Sequence, residues 1–130
     1  MTVVVADTSP LNYLILVGEI GILSQLYERV VVPEEVYAEL RDAGAPRAVQ
    51  EWTARYPGWI EIRKAPRPMP AVMGLDAGES AAIALAEWEA DVLLLIDESA
   101  GRREASRRGI PNTGTLGVLR RASIEGLVDL

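Results

Sequence analysis

An α/β fold with a central parallel sheet is predicted, and three features of the sequence predict it. Short apolar runs at 2–6, 30–32 and 92–96 read TVVVA, VVV and VLLLI. Runs without polar alternation suit strands that are covered on both faces. Each run gives way within a few residues to a helical pattern, and strands alternating with helices pack as a parallel sheet with right-handed crossovers. At 130 residues the chain is expected to make one domain.

The elements follow in order. Ser9 and Pro10 supply a cap and a first-turn proline, and their helix carries Leu11, Leu14 and Ile15 before stopping at Gly18. A short helix over 19–27 sets Ile20, Leu23 and Leu26 on one face. Pro33 turns the second run into a helix that reaches Ala43, with Val36, Leu40 and Ala43 as its buried stripe. Pro46 opens a helix carrying Val49 and Trp52, which ends near Tyr56, Pro57 and Gly58. WIEIR, at 59–63, alternates as a strand. APRPMPAVMG, at 65–74, has three prolines in five residues and is expected to be a loop. LDAGESAAIALAEWEAD, at 75–91, is a helix capped by Asp76. After the third apolar run, SAGRREASRRG at 99–109 is a basic helix closed by Gly109, and GTLGVLRRASIEG at 114–126 forms the last.

Composition narrows the chemistry. The sequence has no cysteine and no histidine, which removes thiolate nucleophiles, imidazole bases and histidine metal sites. What remains is carboxylates, hydroxyls, arginines, the single lysine Lys64, or a hard cation held by oxygen. The net charge of −6 is uneven: residues 1–98 hold 16 acids against 7 bases, and residues 99–130 hold 6 arginines against 3 acids. An acidic chain is not the usual nucleic-acid binder, and the basic C-terminal segment tempers that expectation. The N-terminus has no basic leader, and no run approaches the ~18 apolar residues of a membrane span. A cytoplasmic protein without membrane contact is therefore expected.

In an open parallel sheet, function gathers beyond the carboxyl ends of the strands. Asp7 and Asp97 each stand one residue past an apolar run. Each is either a turn or cap residue ahead of a helix, or one of a set of chemical carboxylates. For Asp7 the cap explanation is the weaker, because Ser9 already fills that role. Glu39 borders the buried stripe of its helix, unless it is a solvated flank. Glu79 stands three residues after Asp76, the spacing of a capping box, which competes with any chemical role. Two like charges ~4 Å apart repel by about 4 kcal/mol at an effective dielectric near 20. Gathered acids therefore need protonation, arginine pairing or a divalent cation. Oxygen ligands alone favour Mg²⁺ or Mn²⁺. Without metal, replacing Asp97 or Glu79 by the amide is expected to raise the melting temperature.

Taken in order, VVVADTSPLNYL, VVVPEEVYAEL and LDAGESAAIALAEWEADVLLLIDESAGRREASRRGIPNTGTLGVL resemble the PIN-domain superfamily, over residues 3 to about 127. The likeness is to its bacterial and archaeal subgroup of predicted nucleic-acid-binding proteins, related to the toxin nucleases of toxin–antitoxin pairs. This resemblance implies a three-layer α/β/α sandwich and a Mg²⁺- or Mn²⁺-dependent ribonuclease. It places the family's acids on Asp7, Glu39, Glu79 and Asp97, with Glu98 able to share or take the last role. Ser9 falls on the accompanying hydroxyl, and Thr113 and Thr115 lie in a segment whose hydroxyls help place water or metal. Arg102, Arg103, Arg107 and Arg108 would hold RNA phosphates, or else form a solvated helix face.

The partners implied are RNA, a small antitoxin protein and a second copy in a homodimer. Relatives commonly continue past the LGVL helix, whereas this sequence stops at Leu130; a shorter tail is expected to weaken RNA binding, dimerisation or antitoxin docking. Two other functions stay open. One is the same fold serving as an RNA- or protein-binding module with a weak or inactive site. The other is a receiver domain phosphorylated on Asp97, which would need a lysine past a late strand, where Lys64 does not lie.

Overall fold

The apolar runs do become strands, and their lack of alternation has the predicted cause. The computed structural model describes residues 2–67 and 73–129. Among these, β1 (Val3–Ala6), β2 (Val30–Pro33), β3 (Ile60–Arg63), β4 (Val92–Leu95) and β5 (Asn112–Thr113) form one sheet. Its order is β3-β2-β1-β4-β5, with every pairing parallel.

Among the described residues six helices lie between the strands, α1 (Thr8–Leu16), α2 (Ile22–Tyr27), α3 (Glu34–Arg41), α4 (Arg47–Ala54), α5 (Ala77–Glu87) and α6 (Ser99–Arg107), and a seventh, α7 (Thr115–Ile124), follows β5. Val4, Ala6, Val30, Val32 and Leu95 face one layer, packed with Leu11, Leu14, Leu23, Val36, Leu40, Val49 and Val118. Val5, Val31, Leu94 and Ile96 face the other, against Ala81, Ala82, Ile83, Leu85 and Ala105. Neighbouring residues of one strand thus serve opposite cores, as a period of two requires. Each fully buried Val or Leu contributes roughly 1.5–3 kcal/mol. The result is an α/β/α sandwich. No helix among the described residues is long and apolar enough to cross a membrane.

α5 explains its own alanine content. Every residue from Gly78 to Ala86 is buried, because α3 and α6 cover the helix where the sheet does not. A helix enclosed on all sides needs small side chains for its neighbours to approach, and it loses the polar stripe of a surface helix.

Several boundaries differ from expectation. α1 begins at Thr8, which puts Asp7, not Ser9, in the cap position, although the Asp7 side chain makes no capping bond. Pro10 is then the third helical residue, still among the first four amides that have no helical acceptor. α2 begins at Ile22. α3 ends at Arg41, so Ala43 lies exposed beyond it and is not part of the buried stripe. α5 ends at Glu87, short of Asp91. β5 went unpredicted because Asn112 and Thr113 form no apolar run; they pair with Leu94 and Leu95 at the sheet edge. Of the proline-rich stretch, residues 68–72 lie outside the described residues.

Topology decides where a ligand can sit. From β1 the chain steps outward through β2 and β3, then returns to the far side of β1 with β4 and β5. The strand order therefore reverses between β1 and β4. The helices leaving these strands go to opposite layers, Leu11 and Leu14 of α1 to one and Ala105 of α6 to the other. Such a divergence opens a crevice at the carboxyl ends of the two strands.

Candidate functional site

Asp7 occupies that crevice. Ala6 pairs with Leu95, and the Asp7 N–H donates to the Leu95 carbonyl at 2.9 Å, so the ladder runs one residue past the strand. The side chain is only 3% exposed, and its Oδ1 has no hydrogen-bond partner. Burial pushes its pKa up to about 7; the charges of Asp76, Glu79 and Glu39 add to the rise, and the Thr8 backbone N–H offsets part of it.

Glu39 and Glu79 come toward Asp7 from two helices, near enough for both charges to raise its pKa. The Thr8 hydroxyl donates to Glu39 Oε2 at 2.6 Å, which ties α3 to the start of α1. Glu79 makes the capping box that its sequence position allowed, and one of its oxygens is left over. In the capping box, its N–H donates to Asp76 Oδ1 at 2.8 Å, and its Oε1 accepts from the Asp76 N–H at 3.1 Å. Its Oε2 is buried without a partner. Burial raises the Glu79 pKa as well, with Asp76 and Glu98 charges adding and the Asp76 amide offsetting.

Two glycines keep this space clear. A Cβ at Gly78 would stand 2.5 Å from Glu39 Oε1 and 3.3 Å from Asp7 Oδ1, and one at Gly101 would stand 2.9 Å from Glu79 Oε2. Gly78→Ala is therefore expected to swing the flexible Glu39 side chain away while leaving the fold intact. The melting temperature should stay within a few degrees of the parent, since alanine regains about 1 kcal/mol of helix propensity; thermal unfolding in EDTA checks this.

Asp97 is held differently. Its Oδ1 accepts the Thr115 N–H at 2.6 Å and its Oδ2 the Thr115 hydroxyl at 2.7 Å, so it anchors the first turn of α7. The expectation that an amide at position 97 would stabilise the metal-free protein is corrected by this geometry. Asp97→Asn replaces one acceptor oxygen with a donor facing Thr115. It should cost about 1–2 kcal/mol, read as a lower melting temperature in EDTA.

Among the described residues, no three carboxylates are gathered as they stand into a cation cage. Asp7 and Glu39 meet at Gly78, Glu79 reaches Gly101, and Asp97 lies against Thr115 and Gly114. Glu98 is exposed, in the cap position of α6 without a capping bond. Ser9 lies half-buried within α1. Thr113 lines a cavity of about 490 Å³ together with Asp97, Arg102 and Thr115.

The arginines divide into two pairs. Arg107 and Arg108 both grip Glu104, and Arg108 also reaches Glu87 at 2.7 Å. This clamp draws the Glu104 pKa down to about 2. Arg102 and Arg103 are exposed and have no carboxylate partner among the described residues; Arg102 donates to Asn112 Oδ1 at 3.3 Å.

Sequence reasoning passed over Thr8, Gly78, Gly101, Gly114 and Tyr13. The glycines had left a signal, since Gly78 and Gly101 sit in first helical turns where alanine would be the better helix former. Glu35, in the first turn of α3, was passed over as well. Glu35 Oε2 accepts from Arg67 at 2.7 Å, and its Oε1 is a further buried oxygen without a partner.

The donor set is all oxygen, two of its buried atoms lack partners, and two glycines hold the space open. These residues fit a hard divalent cation. A family model described as a PIN domain matches residues 3–130. The chain belongs to the PIN-domain family. PIN domains are in general nucleases and in general use divalent ions. This PIN domain is similar in fold to a PilT N-terminus domain protein from the hyperthermophilic archaeon Sulfolobus solfataricus P2. The TM-score is 0.64 at 15% sequence identity, covering 94% of this chain and 93% of that one. A comparison with curated proteins found no match.

Proposed function

We propose that this PIN domain is a Mg²⁺- or Mn²⁺-dependent endoribonuclease that hydrolyses RNA phosphodiesters. The observation that carries the proposal is the pair of buried, partnerless carboxylate oxygens, Asp7 Oδ1 and Glu79 Oε2, beneath the crevice between β1 and β4. A buried carboxylate left without a donor is costly unless it is protonated or meets a cation.

Asp7, Glu39, Glu79 and Asp97 would hold the ion, with Glu98 as an alternative to Asp97. When bound, a divalent ion supplies Lewis acidity to the phosphate and acidity to water at neutral pH, which a chain without histidine otherwise lacks. The protein's own groups set the geometry. Thr8 fixes Glu39, the Asp76 capping box fixes one oxygen of Glu79, and Thr115 fixes both oxygens of Asp97. Arg102 and Arg103 have no carboxylate to hold them among the described residues and would contact RNA phosphates, giving salt-sensitive binding. Arg107 and Arg108 contribute less, because Glu104 and Glu87 together already balance their charge.

The test is cleavage of a mixed-sequence RNA by the purified protein. Cleavage should be abolished by EDTA, restored by Mg²⁺ or Mn²⁺, and lost in Asp7→Asn. RNA left intact by the metal-loaded protein would favour the second function, a PIN-fold module that binds RNA or protein with a weak or inactive site. The separation of Asp97 from the other acids is the observation on that side.

The family resemblance supports a biological role as the toxin of a toxin–antitoxin pair, acting as a homodimer restrained by a small antitoxin protein. Growth arrest on expression, relieved by co-expressing a neighbouring small reading frame, would test it.

A further inference from the structure

We propose that the cavity beside Asp97 is a nucleobase subsite, where one unpaired base of an RNA strand lies against the ring of Tyr13. The proposal rests on the ribonuclease function above and deepens it. At about 490 Å³, the cavity falls within the roughly 300–1,000 Å³ of small-ligand sites. Its walls come from three elements: Tyr13 from α1, Arg102 from α6, and the β5–α7 segment from Thr113 to Gly117. Asp97 forms part of the lining, so whatever fills the cavity touches a residue of the acidic set.

The walls match the two chemical halves of a nucleotide. Tyr13 is 54% exposed and Leu116 is 82% exposed, two large apolar side chains left in water on one cavity. The Tyr13 ring stacks on no other aromatic and carries no guanidinium among the described residues, in contrast to Tyr27 and Tyr37. A free ring face beside an aliphatic side chain is a platform for a flat base. Arg102 is the cavity's cationic lining residue, and its hydrogen bond to Asn112 leaves the charge without a carboxylate partner among the described residues, ready for phosphate.

Glycine keeps the floor open. A Cβ at Gly114 would stand 2.6 Å from Asp97 Oδ1, and one at Gly117 would collide with the Thr113 hydroxyl. Duplex RNA keeps its base faces inside the stack, whereas a single strand can splay one out. The subsite therefore selects unpaired RNA.

Binding is tested in an Asp7→Asn background, where the strand is not cut, with a fluorescein-labelled mixed-sequence single-stranded RNA and the same RNA annealed to its complement. Tyr13→Ala should weaken single-strand binding roughly tenfold to a hundredfold. Tyr13→Phe should retain it, and duplex affinity should not change. Unaltered single-strand affinity in Tyr13→Ala would overturn the proposal. So would an equal loss on duplex, a phenylalanine variant as weak as the alanine one, or no RNA bound by the background protein. A Tyr13→Ala variant that changes oligomeric state by size exclusion, and not RNA affinity, would assign the face to a protein partner and also overturn it. Failure of the nuclease function looks different: Tyr13-dependent binding with no cleavage by the unsubstituted protein leaves the subsite standing, and cleavage with Tyr13-independent binding removes it.

Discussion

Asp7→Asn is expected to abolish RNA cleavage, by a thousandfold or more, and at the same time to stabilise the metal-free protein. Loss of activity follows if Asp7 is a charge that the cation requires. The gain in stability follows from burial. Asp7 is almost wholly enclosed with one oxygen partnerless. Its pKa is raised from the ordinary 3.8 to about 7, so holding the charged form in the fold costs about 4 kcal/mol. The amide removes the charge but brings its own hydrogen-bonding needs, so about half of that should be recovered. In EDTA at pH 8 the melting temperature should rise by about 5–10 °C, and the difference should shrink or reverse in Mg²⁺. A variant that loses both activity and stability in EDTA would make Asp7 a structural residue.

The second large effect is on the pH profile. Between its unfolded value and about 7, folded Asp7 keeps a proton that the unfolded chain has released. Stability of the metal-free protein must then fall as pH rises across that window, by about 4 kcal/mol in all. Glu79, also raised, acts in the same direction. Glu104 acts in the opposite sense: held down to about 2, it adds stability above its unfolded value and loses it as the solution is acidified. Stability in EDTA should therefore peak near pH 4–5 and decline toward pH 8, with Mg²⁺ flattening the decline. Urea unfolding at a series of pH values measures this. A profile that is level or rising between pH 5 and 8 would contradict the burial of a charged Asp7.

How much of this was legible depended on whether the signal was local. VVV at 30–32 and VLLLI at 92–96 announced strands because both faces are buried, and Asp76 with Glu79 announced a helix start because a capping box is written within four residues. The placement of Asp7 and Asp97 beyond the same edge followed from their position one residue past a run. That β1 and β4 are neighbours did not follow, because strand order is set by crossovers that no short segment encodes. Asp97 looked like a partner for Asp7, and its binding to Thr115 depended on a fold-level approach. Thr8 was invisible for the same reason, since the glutamate it holds is thirty-one residues away. The Glu104 clamp is written in i,i+3 and i,i+4 pairs but was missed, because Arg107 and Arg108 were read only as phosphate contacts or a solvated face.

The enclosure of α5 has a consequence for how this chain can change over time. An ordinary helix offers variation a free side, and tolerated substitutions recur with its turn. From Gly78 to Ala86 no such side exists, so drift along this segment is blocked at every step, and one end of the blocked segment carries Glu79. Inheritance of the acid and inheritance of the packing are thereby bound together: a lineage that replaces Glu79 still cannot easily rewrite the helix around it.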